Sequence, residues 1–165
     1  MTTTIAFAGC KEMPKALFIY KIFGQKPHDN IALQYYRASR IYDFLMHPIE
    51  IWDVSIAAEI AMMKLRDTHD IVVVCFDVNT NLKEVKQLTT FLAQQPYAPH
   101  LVIFGIVVEG RRVHPLAVHA LANRLKTQKN FATVTVVEEN CLSSDHIERV
   151  LQRLVVMCRK GIKRY

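Results

Sequence analysis

Gly9 and Lys15 stand at the spacing of a phosphate-cradling loop, G-x-x-x-x-G-K-[ST], within the stretch GCKEMPKA (Gly9–Ala16). In that chemistry, glycines let successive backbone N–H groups curl around a phosphate. The lysine supplies a point charge, and the hydroxyl holds magnesium. Here Pro14 takes the place of the second glycine and Ala16 that of the hydroxyl. Proline has no N–H to offer and cannot adopt positive φ. Two roles are open to Lys15. It reaches a phosphate as a point charge, or, the preferred reading, it is an exposed lysine in the first turn of a helix.

Other chemistry-bearing residues are scattered. The seven histidines, His28, His47, His69, His100, His114, His119 and His146, form no cluster. His114 and His119 are not at the i,i+4 spacing of a helical metal pair. Cys10, Cys75, Cys141 and Cys158 make no C-x-x-C pair and no zinc-ligand spacing, so free thiols are expected. Cys141 lies near His146 in sequence, but no third group completes a thiol triad. Arg111 and Arg112 in EGRRVH read as a solvated basic patch, or as a contact for an acidic partner.

The chain of 165 residues is 51% hydrophobic and 22% charged, which places it among ordinary globular chains with a sizeable core. One domain, residues 1–165, is expected. No apolar run is long enough for a bilayer span, and the N-terminal stretch lacks the basic region of a secretory signal, so a cytoplasmic protein is the default. The net charge of +6 suits an acidic partner, an anionic membrane or nucleic acid. Basic residues are spread out, with one dense cluster, CRKGIKRY, at the C-terminus. No nucleic-acid motif accompanies them, so nucleic acid is not expected.

These residues need elements to position them. TIAFAG (Thr4–Gly9) reads as a buried strand, and Lys15–Phe23 as a helix with Pro14 in its first turn. SRIYDFL and IEIWDV read as two strands joined by a turn at MHP. AAEIAMMKLRD reads as a helix. Asp70–Val78 is rich in β-branched residues with little alternation, as in a strand covered on both faces. NLKEVKQLTTFLAQ is an amphipathic helix with Leu82, Val85, Leu88 and Leu92 on one stripe. His100–Val108 is another buried strand. Pro115 opens a helix carrying Leu116, Ala117, Ala120, Leu121 and Leu125, and Phe131–Val137 is a last strand. The final helix takes Ser144 or Asp145 as N-cap and buries Ile147, Val150, Leu151, Leu154, Val155 and Cys158. Alternating strands and helices argue for a largely parallel sheet with helices on both faces.

The order of these segments resembles the Ras-like small GTPase superfamily, Rab proteins in particular, over nearly the whole chain. GCKEMPKA falls at the phosphate loop, and IWDVSIAAE resembles WDTAGQE. HDIVVVCFDVNTNLKEVKQL resembles the fourth strand and following helix, and LVIFGIVVEG lies at the strand bearing N-K-x-D. NCLSSDHIERVLQRLV follows the S-A-K region and last helix. A receiver domain, the rival doubly wound fold, needs paired acidic residues after the first strand, where AGCKEM supplies Glu12. The resemblance implies a Ras-like P-loop GTPase α/β fold: a mostly parallel six-stranded sheet with one antiparallel edge strand and helices on both faces.

Residue by residue, the resemblance implies loss of the nucleotide chemistry. Asp53 keeps the position of the aspartate that helps hold magnesium through water, though its expected role here is an exposed carboxylate at a strand end. Ile56 replaces the glycine that contacts the γ-phosphate, and Ala57 the glutamine that orients the attacking water. Between Ala16 and Trp52 there is no threonine to sense that phosphate, and Ser39 is the only hydroxyl of that kind. The guanine-reading asparagine, lysine and aspartate map onto Ile106, Val107 and Glu109, and S-A-K falls near Asn140, Cys141 and Leu142.

The resemblance therefore implies a degenerate member, a pseudoGTPase that neither hydrolyses nor binds GTP. No catalytic residue, metal or cofactor is expected, and Gly9, Lys15 and Asp53 are vestigial. The expected role is a protein-interaction module or structural subunit of a multi-protein complex. Its candidate interface is Tyr35, Tyr36, Arg37, Tyr42, Trp52, Met62 and Met63, residue types enriched at interface cores. Core packing is the alternative for Trp52 and for Met62 or Met63. Two other functions stay open. One is an unconventional nucleotide-binding protein that uses Lys15 and Asp53 with altered base choice. The other is a mimic that binds GTPase regulators or effectors. Cys158 lies inside the last helix and the tail has no C-a-a-X box, so no lipid anchor is expected. The basic C-terminus leaves contact with an anionic surface open.

Overall fold

A computed structural model describes residues 1–9, 13–24, 33–54, 65, 68–108, 110–111, 113–140 and 142–161. In chain order its elements are β1 (Thr3–Ala8), α1 (Met13–Phe23), β2 (Leu33–Tyr42), β3 (Leu45–Val54), β4 (Ile71–Asp77), α2 (Lys83–Ala93), β5 (His100–Val107), α3 (Pro115–Gln128), β6 (Thr133–Asn140) and α4 (Asp145–Gly161). The helix expected over AAEIAMMKLRD lies outside the described residues, apart from the helical Leu65.

The six strands form one sheet in the order β2-β3-β1-β4-β5-β6. β1 runs parallel to β3, with Ile5 beside Ile51, and parallel to β4, with Ile5 beside Ile71. β5 and β6 extend the parallel set, and β2 alone is antiparallel, with Tyr35 opposite Trp52 on β3. This is an α/β domain with a mostly parallel sheet and one antiparallel edge strand. It is compatible with a Ras-like fold without being specific to it.

Strand alternation sorts the core into two layers. Ile5, Phe7, Ile49, Ile51, Val73 and Phe104 face α1 and α4, meeting Phe18, Ile22, Leu151 and Leu154. Ala6, Ala8, Val72, Val74 and Ile103 face α2 and α3, meeting Val85, Leu88, Leu121 and Leu125. Phe18 meets Phe104 edge-on, with ring centroids 4.9 Å apart, a geometry worth about 0.5–1.5 kcal/mol beyond burial.

Several ends are set by named residues. Pro14 falls in the first turn of α1, where no intrahelical N–H bond is lost. His114 Nδ1 accepts the Leu116 N–H at 3.1 Å and caps α3, with Pro115 following. The N-cap of α4 was expected from Ser144 or Asp145. The Ser144 carbonyl does accept the Glu148 N–H. The buried side-chain acceptor, however, comes from β6: Glu139 Oε1 takes the Ile147 N–H at 2.8 Å. On α3 the buried stripe is Val118, Leu121, Ala122 and Leu125, while Leu116 and its neighbour Ala117 face solvent.

The hairpin differs from expectation. The turn is Asp43–Phe44, and the MHP segment lies inside β3. Both turn residues have positive φ, 52° and 62°, as a two-residue type I′ connection requires. For a phenylalanine that backbone costs about 1–2 kcal/mol. Pro48 pairs with Ser39 just before β3 meets β1, where the strand has a neighbour on one side only and a missing N–H is tolerated.

Candidate functional site

In open α/β sheets, ligands bind beyond the carboxyl ends of the strands, where successive helices leave on opposite faces. Here α1 follows β1 onto one face and α2 follows β4 onto the other. The pole beyond β1 and β4 is therefore the candidate site, and it carries Gly9, Lys15 and Asp53.

Gly9 has φ of +79°, and a Cβ there would lie 2.5 Å from the Cys75 carbonyl oxygen on β4. Only glycine meets both demands. The chain turns against β4 there and delivers α1 to its face of the sheet.

Lys15 overturns the expectation of an exposed lysine. Its residue is 1% exposed and Asp53 is 2% exposed, so both charges are interior. Lys15 Nζ sits 3.0 Å from Asp53 Oδ1 and donates to the Val54 carbonyl at 3.0 Å. The expected exposed carboxylate at the end of β3 is the lysine's counter-ion. The physical reason is geometric: the first turn of α1 lies over the end of β3, so a side chain leaving Lys15 enters the protein. A charge there is tolerable only if paired and hydrogen-bonded. The pair ties α1 to the end of β3.

The neighbouring ends are also tied internally. Asp77 Oδ1 accepts the Asn79 N–H at 2.8 Å, and the Ile106 carbonyl accepts the Val78 N–H at 3.2 Å. Ile106 is fully buried in the core, Val107 is half-buried and Val108 is exposed. The Arg111 guanidinium grips Glu138 in a fork, at 2.9 Å and 2.6 Å, and also donates to the Val113 carbonyl. The Arg111 guanidinium holds the Glu138 carboxyl below the usual carboxylate range. Asn140 Oδ1 accepts the Leu142 N–H, closing the turn into α4. Glu12, Ile56, Ala57, Glu109, Arg112 and Cys141 lie outside the described residues.

The second candidate surface is the outer face of the hairpin. Tyr35 packs on Trp52 with ring centroids 4.4 Å apart. Arg37 Nε donates to Tyr35 Oη at 2.8 Å and lies 3.9 Å from Glu50. Tyr35 and Arg37 are exposed and Trp52 is half-buried. The structure thus brings three of the sequence candidates together on one face. Tyr42 is not among them. It is buried in the core layer beneath α1 and α4, and burial pushes its hydroxyl pKa up, with a smaller contribution from Glu148 against the opposing charge of Arg40. Register is the reason: Tyr42 pairs with Leu45, on the face it shares with Ile49 and Ile51. Tyr36 pairs with Ile51 in the backbone ladder, and its side chain, with Met62 and Met63, lies outside the described residues.

Among the described residues no group of three or more His, Cys, Asp or Glu side chains is placed to hold a metal ion. Cys75 is buried, and burial, with the field of Asp70, pushes the Cys158 thiol up to about 12. No helix among the described residues is long and apolar enough to cross a membrane.

Sequence reasoning missed the Lys15–Asp53 pair, the Arg111–Glu138 fork and the Glu139 cap. Their partners lie far apart in the chain, and no local pattern marks them. The exposed hairpin apex has a signal in the IYDFLM run, whose turn falls at Asp43–Phe44 and not at MHP. The chain matches no protein-family model and no curated protein.

Proposed function

We propose that this chain is a protein-interaction module or structural subunit of a larger assembly, built on a small-GTPase-like scaffold that does not bind or hydrolyse GTP. The observation that carries the reading is the commitment of the Lys15 ammonium, buried and 3.0 Å from Asp53, to the protein's own interior. A phosphate would have to draw that lysine out and leave Asp53 buried beside an unmet carbonyl, a loss of several kcal/mol. Ile106 supports the same reading, since a fully buried apolar side chain stands where the resemblance places a base-reading asparagine.

The partner surface is the outer face of β2 and β3, where Tyr35, Arg37 and Trp52 meet. It joins an aromatic pair to an exposed guanidinium, the composition of an interface anchor. The face lies on the sheet edge, with β2 unpaired on its outer side among the described residues.

Titration of fluorescent GTP and ATP, with and without magnesium, tests the nucleotide half of this reading. No saturable binding is expected at micromolar nucleotide. Micromolar binding that Lys15→Ala abolishes would overturn it in favour of an unconventional nucleotide-binding protein. For the surface, a paired Tyr35→Ala, Arg37→Ala variant should release co-purifying partners while staying folded, its denaturation midpoint lowered only by the roughly 1 kcal/mol of the lost Tyr35–Trp52 contact. Retention of every partner would remove this face from the account.

A further inference from the structure

The pole opposite Lys15 carries a feature that the nucleotide question does not touch. β3 runs ten residues from the hairpin apex to Val54, a span of roughly 30 Å. At that apex Phe44 is 98% exposed, Ile41 70% and Met46 63%, and Leu45 is half-exposed. Phe44 holds φ of +62°, so the fold bears backbone strain there and gains no packing from the ring. Ile41 and Met46 pair on one face of the ladder and Leu45 projects from the other, so apolar groups surround the apex.

Beside this wedge runs α4 from Arg149 onward. Arg149, Arg153 and Lys160 line a groove floored by Val156 and Met157 and walled by Asp43 of the turn. They recur at helical spacing along one stripe. Arg159 donates to the Met46 carbonyl at 3.0 Å and joins helix to hairpin. Among the described residues the acids nearby are Asp43, Glu148, which is close enough to act on Tyr42, and Asp70, which shares a second pocket with Met157. Cations therefore outnumber acids around the apolar apex.

We infer that the β2–β3 apex and the basic stripe of α4 form a docking surface for an anionic lipid bilayer. The apolar wedge enters the acyl boundary while Arg149, Arg153 and Lys160 meet headgroup phosphates. Two observations favour a bilayer over a protein groove. Phe44 stands in the turn with almost its whole surface exposed, and a bilayer admits such a side chain without a matching pocket. The cations flank it on a helix side, as interfacial binding through apolar insertion plus charge requires.

Cosedimentation of the full chain with phosphatidylcholine vesicles, with and without phosphatidylserine, tests this. The chain should partition onto the anionic vesicles only, less at high salt. Arg153→Gln and Lys160→Gln should each lose roughly fivefold. Phe44→Gly should lose roughly tenfold or more, while its melting temperature stays at or above wild type because glycine accepts positive φ without strain. That pairing separates lost docking from lost folding. No binding to anionic vesicles, equal binding to neutral ones, or wild-type partition of Phe44→Gly would each overturn the inference. The nucleotide titration stands or falls independently.

Discussion

Replacing Lys15 by methionine keeps the length of the side chain and removes its charge. In the native structure the ammonium lies 3.0 Å from both Asp53 Oδ1 and the Val54 carbonyl, with 1% of the lysine exposed. The substitution leaves a buried carboxylate without its counter-ion and a carbonyl without its donor. Breaking a buried pair in this way costs about 3–5 kcal/mol. For a chain of this size that lowers the melting temperature by roughly 6–20 °C. Urea denaturation followed by circular dichroism reads the loss as a lower midpoint at unchanged slope. The double variant Lys15→Met, Asp53→Leu removes both charges and should be more stable than Lys15→Met alone, because a well-packed apolar pair replaces an ionic one at little cost. A loss under about 1 kcal/mol for the single variant, the value of an exposed pair, would mean that the Lys15–Asp53 pair is not held as a buried ion pair. So would additive losses in the double.

Three further predictions use the same denaturation assay. Gly9→Ala should cost more than about 2 kcal/mol, since its Cβ would sit 2.5 Å from the Cys75 oxygen at φ of +79°; a wild-type midpoint would contradict that close approach. Glu139→Ala removes the acceptor of the Ile147 N–H at the start of α4 and should cost about 1–2 kcal/mol. Burial lowers the His100 pKa, partly opposed by Asp70, so the unfolded chain takes up the proton first as pH falls. Stability should therefore be level above about pH 6.5, fall as pH drops below it, and level off below the folded pKa. His100→Asn should flatten that slope between pH 5 and 7, and an unchanged slope would assign it to other groups.

The layered architecture was legible in the sequence because long-lived patterns write it. Ile71–Asp77 has β-branched residues with no alternation and is buried on both faces. The stripe Val85, Leu88, Leu92 at helical spacing buries as read. Register and partners were not legible. Tyr42 was a surface candidate by residue type, but its pairing with Leu45 places it on the core face. Pro48 drew the turn toward itself because proline reads as punctuation, whereas Asp43–Phe44 carries no glycine to mark positive φ. On α3, Leu116 faces solvent because the buried stripe begins at Val118, two residues further on.

The candidate site shows the same division. Gly9, Lys15 and Asp53 were singled out by spacing and by resemblance, and the structure brings Lys15 and Asp53 into contact. Their burial was not legible, because a local pattern gives a residue's type and not the strand end that its helix covers. At this pole Lys15 and Asp53, which read as solvent-facing, are buried and join α1 to β3, while the exposed Arg111 forks Glu138 and joins the loop after β5 to β6. Among the described residues, exposed aromatic and apolar side chains gather on the outer face of the hairpin and at its apex.

We propose that this pole, where Lys15 is committed to Asp53 and the Val54 carbonyl, takes no nucleotide. Thermal denaturation with and without 1 mM (~100-fold over a 10 μM Kd) magnesium–GTP tests it most directly. A ligand of that affinity would add about 2.7 kcal/mol and raise the melting temperature by roughly 5–10 °C. The expected shift is below about 1 °C on that scale for both GTP and ATP. A magnesium-dependent rise of several degrees that Lys15→Met removes would contradict it.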